Sequence, residues 1–256
     1  MKKFRFLLLL FFLLKLCCVT FAWGKTGHQI VARIAKYSVN SSIQDSVNKY
    51  FGSMTWEAAS TWMDDIKSDP TYNYMKVWHY INIDKGKMYD SSIVNGNNVV
   101  NQLKIAIGIL MKRSKHTKEE ITLNLKIIFH LIGDLHQPLH VGYGSDRGGN
   151  TIKITFNGKS KNLHQIWDGD IIRCKKITYK KERSLYSKLP NDTLNKIKNA
   201  TLMDWFAQSR GYLDNVYSYK STTIDEDYIN KSSVIIEKQL LDAGIRLGQI
   251  LNDIFK

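Results

Sequence analysis

Cysteine is nearly absent from this chain. It has three, and two of them, Cys17 and Cys18, lie within the first 22 residues. Loss of that segment would leave Cys174 alone and exclude an intrachain disulfide framework. Proline is also scarce, at three residues in 256. No proline-rich, low-complexity or repetitive stretch divides the sequence, so a single domain is expected. Apolar runs are few. Leu7 to Leu14 is the only stretch of its kind, and it is too short for a comfortable membrane span. Acidic residues are outnumbered, 23 against 37 Lys and Arg, giving a formal net charge of +14.

The short apolar run follows Lys2, Lys3 and Arg5 and precedes Thr20-Phe21-Ala22, the layout of a secretory signal peptide over residues 1–22. Cleavage after Ala22 would place Trp23 at the amino terminus of a 23–256 domain. The remaining net charge would be +10, and no stable membrane association is expected. An exported, basic protein suits a polyanionic partner. Without disulfides, bound metal ions would serve as cross-links.

Helical periodicity dominates. Helices are expected from His28 to Val39, Ser41 to Tyr50, Thr55 to Ile66, Val94 to Met111, Glu119 to Gln137, Leu163 to Ile172, Asp192 to Lys198, Leu202 to Tyr217 and Ile235 to Ile254. Pro70 sits in a polar loop, and Pro138 ends the fifth helix. Thr151 to Phe156 alternates as a strand does, with a hairpin turn at Asn157-Gly158. The fold expected is one all-α domain with one small hairpin.

The chemistry is concentrated in His130-Leu-Ile-Gly-Asp134-Leu-His136-Gln-Pro138-Leu-His140, three imidazoles and a carboxylate in eleven residues. His130 and Asp134 stand four apart, on one face of a strongly apolar helix, and His164 and Asp168 repeat that spacing. Asp64 and His79 add acid and imidazole beside tryptophans, and His28 follows Trp23 closely. Buried charged groups of this kind are unfavourable unless paired or bound to something. Imidazole and carboxylate without thiolate suit zinc at a catalytic site, although spacing alone leaves the number of ions open. His116, in a polar stretch, has no assigned role.

With these motifs in order, the chain resembles the class I zinc nucleases, the single-strand-specific nuclease and 3′-nucleotidase family, whose fold is related to that of zinc phospholipase C. The resemblance runs from Trp23-Gly-x-x-Gly-His28 through Trp62-x-Asp64, Trp78-His79, His130-x3-Asp134-x5-His140 and Asp146-Arg-Gly-Gly-Asn150 to Asn162-Leu-His164-x-x-Trp-Asp168. It implies three zinc ions. Asp64, His79, His130 and Asp134 would hold the first, and His140, His164 and Asp168 the second. His28, a bridging Asp134 and the amine and carbonyl of Trp23 would hold the third. It further implies hydrolysis of single-stranded DNA and RNA to 5′-phosphate products, with 3′-nucleotides as further substrates, and the signal peptide makes a periplasmic or secreted enzyme the expectation. Asp64 would have a catalytic role, Lys67 and Asn150 would steady phosphate oxygens, and Tyr80 would be a stacking surface for a base. Family members often carry an acid where Asn82 stands. The alternatives are a zinc phospholipase C-like phosphodiesterase and a non-catalytic basic zinc protein that binds nucleic acid. The spacing of Trp23 to His28, Asp168 in place of glutamate, and the Asp-Arg-Gly-Gly-Asn loop argue against the phospholipase.

Overall fold

A computed structural model describes residues 23–87, 89–90 and 96–256. The expected signal peptide and the start of the helix expected from Val94 lie outside the described residues.

The chain forms helices because its apolar residues recur at helical spacing and polar side chains cap the ends. In α1 (Lys25–Ser38), Ile30, Val31, Ile34 and Ala35 bury one face. Asn40 and Thr55 cap α2 (Ser41–Phe51) and α3 (Trp56–Asp65) by accepting backbone N–H groups. Asn98 does the same for α4 (Val99–Met111), later than the expected start. Thr117 and Glu120 form a reciprocal capping box on α5 (Lys118–Leu135).

α5 is the axis of the molecule. It lies against α3 and α4 and also touches α1 and α12 (Glu226–Phe255). Its amino-terminal half meets solvent, whereas every residue from Ile127 to Val141 is buried. Leu125, Ile128, Leu131, Ile132 and Leu135 are completely inaccessible and form the middle of the core. α5 therefore carries His130 and Asp134 into the apolar interior. Pro138 lies just beyond the helix and opens a short 3-10 turn (Pro138–Val141), which delivers His140 back toward the same place.

The hairpin is present, with β1 (Lys153–Phe156) antiparallel to β2 (Lys159–Asn162). Asn157 and Gly158 both have positive φ, 49° and 73°, as its two-residue turn requires. After it come α6 (Leu163–Gln165), a π turn (Ile166–Asp170) and α7 (Ile171–Cys174). The single helix expected here is thus interrupted by a wider turn.

Several boundaries differ from expectation for identifiable reasons. The segment around Pro70 is a 3-10 helix, Pro70–His79, capped by Asp69. Pro at its first position has no N–H to satisfy there. The stretch from Leu202 divides at Tyr212 into α10 (Leu202–Gly211) and α11 (Leu213–Val216). α12 begins nine residues before Ile235, because Asp225 caps a polar first turn. α8 (Tyr179–Tyr186) was not expected at all, and α9 (Asn191–Asn199) was. Among the described residues no helix is long and apolar enough to cross a membrane.

α8 evades sequence reading because it buries a charge-bearing residue. Glu182 has no solvent exposure, and neither carboxylate oxygen has a hydrogen-bond partner. Burial, reinforced by Glu237, raises its pKa to about 8. A carboxyl whose pKa is raised on folding opposes folding increasingly as pH rises from its unfolded value toward its folded one. Glu182→Gln should therefore be more stable than the parent, with a margin that widens from about pH 5 to about pH 8 and then levels. The limiting slope is about 1.4 kcal/mol per pH unit. Urea midpoints across that range measure it; a margin independent of pH would contradict the assignment.

Candidate metal centre

The would-be ligands are brought in by seven elements, with α5 supplying two of them. His28 lies in the first turn of α1, and Asp64 in the last turn of α3. His79 ends the 3-10 helix, and His130 and Asp134 come from α5. His140 comes from the turn after Pro138, His164 from α6 and Asp168 from the π turn. All eight are buried, at no more than 8% exposure. Trp23 is also buried. The Gly24 N–H beside it donates to the Asp168 carbonyl at 2.7 Å. His28 packs over Gly133, where a Cβ would come within 2.8 Å of its Nδ1.

Three groups of these side chains have donor atoms close enough to hold an ion: His28, His130 and Asp134; Asp64, His79 and His130; and His140, His164 and Asp168. Asp134 faces two ways. Its Oδ1 lies 3.3 Å from His28 Nε2, and its Oδ2 lies 2.9 Å from His79 Nδ1 and 3.3 Å from His130 Nε2. Such a carboxylate is placed to bridge two ions.

The proton positions make the case for cations. His130 Nδ1 lies 2.7 Å from the Ser60 carbonyl, His140 Nδ1 2.6 Å from that of His79, and His164 Nδ1 2.6 Å from that of Gly148. A carbonyl only accepts, so each Nδ1 carries a proton, and in the neutral ring each Nε2 presents a lone pair inward. His140 Nε2 and His164 Nε2 then face each other at 3.2 Å, with Asp168 Oδ2 3.4 Å from the latter. Two lone pairs and a carboxylate converging on one point repel unless a cation lies among them. Both ring nitrogens of His28 are buried without a hydrogen bond. His130 has one inward lone pair, so it serves one ion although it borders two groups. The donors fit divalent metal ions, and the carbonyls orient the rings from behind.

Titration behaviour agrees for His28, His79, His140 and His164, and runs the other way at His130 and Asp168. Burial drives His79 and His140 down to about 3 and His164 to about 4, leaving all three neutral at ordinary pH. Burial also lowers His28, with the neighbouring His130 adding to it. It disfavours a charged His130 too, yet Asp134 and Asp64 raise that ring above its usual value. Burial opposes ionisation of Asp134, but His130, His140 and the hydrogen bonds it receives hold it well below the usual carboxylate range. Asp64 is lowered in the same way against burial, by His130 and Lys67. Asp168 is raised well above that range by burial, despite a 2.7 Å hydrogen bond from Gln137 Nε2. Asp64 and Asp134 both lie at helix C-termini, whose dipoles add negative potential.

The remaining candidates are placed unevenly. Lys67 reaches inward, its Nζ 2.5 Å from Asp64 Oδ1. Tyr80 is 40% exposed beside His79. Asn150 is partly spoken for: its Nδ2 donates to the Arg147 carbonyl at 2.8 Å, while its Oδ1 is buried without a partner. Asn82 is exposed. His136, within the densest stretch of histidines, turns the other way. Its Nδ1 donates to the Ile132 carbonyl and its Nε2 accepts from Arg246, each at 2.7 Å. Two positions escaped sequence reading. Gln137 holds Asp168 and also accepts the Leu139 N–H at 2.6 Å; a buried amide just before Pro138 was its only signal. Gly148 has φ of +62°, and a Cβ there would lie 2.3 Å from the Leu139 carbonyl oxygen. No other residue fits the position that aims its carbonyl at His164.

Removal of Asp134 should empty more than one position. Asp134→Asn should lose metal from two of the three groups and His164→Ala from one, measured as metal per protein by mass spectrometry. Equal loss in the two variants would argue against the bridge.

Comparison with known proteins bears on this geometry. The sequence profile of the S1/P1 nuclease family matches residues 23–256. Endonuclease 4 of Arabidopsis thaliana is 30% identical over 266 residues, covering 91% of this chain and 89% of its own length. Nuclease S1 of Aspergillus oryzae is 29% identical, covering 93% of this chain and 94% of itself. Endonuclease 2 of Arabidopsis thaliana is 26% identical, covering 91% and 90%. All the residues of the buried His/Asp groups fall within the profile match, and the chain belongs to the S1/P1 nuclease family, a hydrolase acting as a metal-dependent nuclease.

Proposed function

We propose that this chain is an exported endonuclease that holds three zinc ions. In this reading it hydrolyses single-stranded DNA and RNA to 5′-phosphate products and also acts on 3′-mononucleotides. The observation that carries the reading is the inward convergence of neutral imidazole lone pairs around Asp64, Asp134 and Asp168, with no thiolate among them. Nitrogen and carboxylate donors of this kind favour zinc. Asp64, His79, His130 and Asp134 would hold one ion, His140, His164 and Asp168 a second, and His28, Asp134 and Trp23 a third. When bound, zinc supplies Lewis acidity at the phosphoryl group and a water nucleophile at neutral pH.

The chain's own residues would do the rest. Asp64 orients the Lys67 ammonium at the edge of the cluster, where it would steady a phosphate oxygen as charge develops. The Asn150 amide, at the end of the glycine loop behind His164, would contribute a second polar contact. Tyr80 presents its ring at the surface next to a ligand, where an unpaired base could stack. A base held in a duplex lacks the free face that such stacking needs, which supports preference for single strands. A phospholipase reading is disfavoured by the short spacing of Trp23 to His28, by the Asp146-Arg-Gly-Gly-Asn150 loop and by Asp168 at the last position.

Analysis of products from single-stranded DNA, 3′-AMP and phosphatidylcholine tests the reading. Mononucleotides and oligonucleotides with 5′-phosphates are expected, with release of phosphate from 3′-AMP and no lipid cleavage; intact nucleic acid with cleaved lipid would overturn it. Lys67→Met should keep its zinc yet lose about 10²–10³ in turnover, the usual effect of removing one preorganised donor.

Signal cleavage would expose the Trp23 amine, whose pKa near ~7.7–8.0 allows zinc to displace its proton. Before cleavage this nitrogen is an amide and a poor ligand. Protein bearing an extra Gly-Ser before Trp23 should lose one zinc and most activity while retaining its helical circular dichroism. Normal zinc content and turnover in that extended protein would remove the N-terminus from the site.

A further inference from the structure

We propose that a cationic pocket at the opposite end of α5 binds the phosphate backbone of a single strand whose scissile bond lies at the metal centre. This rests on the nuclease reading above. The pocket has a volume of about 630 Å³. The end of α2 supplies Lys49 and Tyr50, the connection after α4 supplies Arg113 and His116, α5 supplies Lys118, and the end of α12 supplies Phe255.

Its chemistry is one-sided. No carboxylate lines it. Glu119 and Glu120 follow Lys118 on α5 without lining the pocket, and Glu120 is turned onto its own helix cap, 2.8 Å from the Thr117 nitrogen and 3.5 Å from His116 Nδ1. Two aromatic rings, Tyr50 and Phe255, line the same pocket with centroids 6.0 Å apart. The Arg113 guanidinium stands 5.3 Å from the Phe255 centroid. Like charges gathered in a concave site repel one another, and an anion offsets that repulsion. Cations beside partly buried aromatic rings suit a ligand that offers both phosphates and flat bases, as single strands do.

Position separates this pocket from the metal centre. Ile121 lines it, whereas His130 and Asp134 lie further along the same helix. At ~1.5 Å rise per residue the separation is about 14–20 Å. One rigid helix thus carries both ends, so a strand engaged at the metals would be held a fixed distance away. Short substrates would not reach. The pocket would raise affinity for long strands and leave the chemical step alone.

The test compares the parent protein with Lys49→Glu/Arg113→Glu, both zinc-loaded. Binding of a nuclease-resistant phosphorothioate single strand of about 30 nucleotides, longer than the ~4–16 that such grooves occupy, is followed by fluorescence anisotropy. Salt is varied from about 50 to about 200 mM. The double variant should bind at least about tenfold more weakly at the low-salt end. Its dependence of log K on log salt should be shallower by about 1.4, at ~0.7 per lost contact. Turnover of a dinucleotide should be unchanged. Arg113→Gln, a milder change, should show part of the same loss and guards against misfolding of the double variant. Unchanged affinity and salt slope in folded variants would overturn the proposal. So would loss of binding to phosphatidylglycerol vesicles with strand affinity retained, which would assign the pocket to a lipid surface. Should the parent bind strands through this pocket yet fail to cleave them, the nuclease reading falls and the pocket stands. Normal cleavage with binding indifferent to the charge reversal removes the pocket alone.

Discussion

Asp134 is completely buried, near the carboxyl end of a helix whose dipole is negative there. Both circumstances oppose a charge on it, yet its neighbours keep it ionised. That balance governs the architecture. His28, His79 and His130 all lie within 3.3 Å of its two oxygens, so α1, the 3-10 helix and α5 itself converge on one carboxylate. Asp64 repeats the arrangement at the end of α3. The helices therefore concentrate negative potential and lone pairs in a buried region, where divalent cations would resolve the repulsion that results.

Precision comes from the layer behind. The carbonyls of Ser60, His79 and Gly148 each accept a hydrogen bond from an imidazole and thereby select which ring nitrogen points inward. The His79 carbonyl orients His140 while its own ring serves the neighbouring group, which couples the groups mechanically. Gln137 performs the same office for Asp168. The opposite side of this helix end is tied down by a different polar network. Arg246 of α12 binds His136 and donates to Gln208 at 2.6 Å, and Gln239 donates to the His136 carbonyl at 2.7 Å. The carboxyl end of α5 is thus fixed against α12 on one side and presents metal-binding groups on the other.

Much of the fold was readable from spacing. α1, α2, α3, α5 and the hairpin follow from apolar period and turn residues, because each buries one face. α8 was not readable: its buried residue is Glu182 among lysines, and no period of apolar residues marks it. The 3-10 helix after Asp69 was hidden because Pro70 suggests a loop as readily as a helix start. The early start of α12 was hidden because a polar first turn depends on its cap rather than on burial.

The sequence by itself determined which groups could chelate. His130 with Asp134 and His164 with Asp168 are local pairs, set four residues apart, and residue chemistry excludes thiolate sites. Family resemblance already implied His28, Asp64 and His79 as partners, but local spacing did not, and the tertiary structure brings them in while turning His136 away. It also supplies the geometry by which Asp134, expected as a bridge, divides its oxygens between two groups, turns Lys67 onto Asp64, and sets whether each ring presents Nε2 or Nδ1. These outcomes depend on helix crossings and on carbonyls from residues as far away as Ser60 is from His130. Local spacing selects a face of one helix; only packing decides what that face meets.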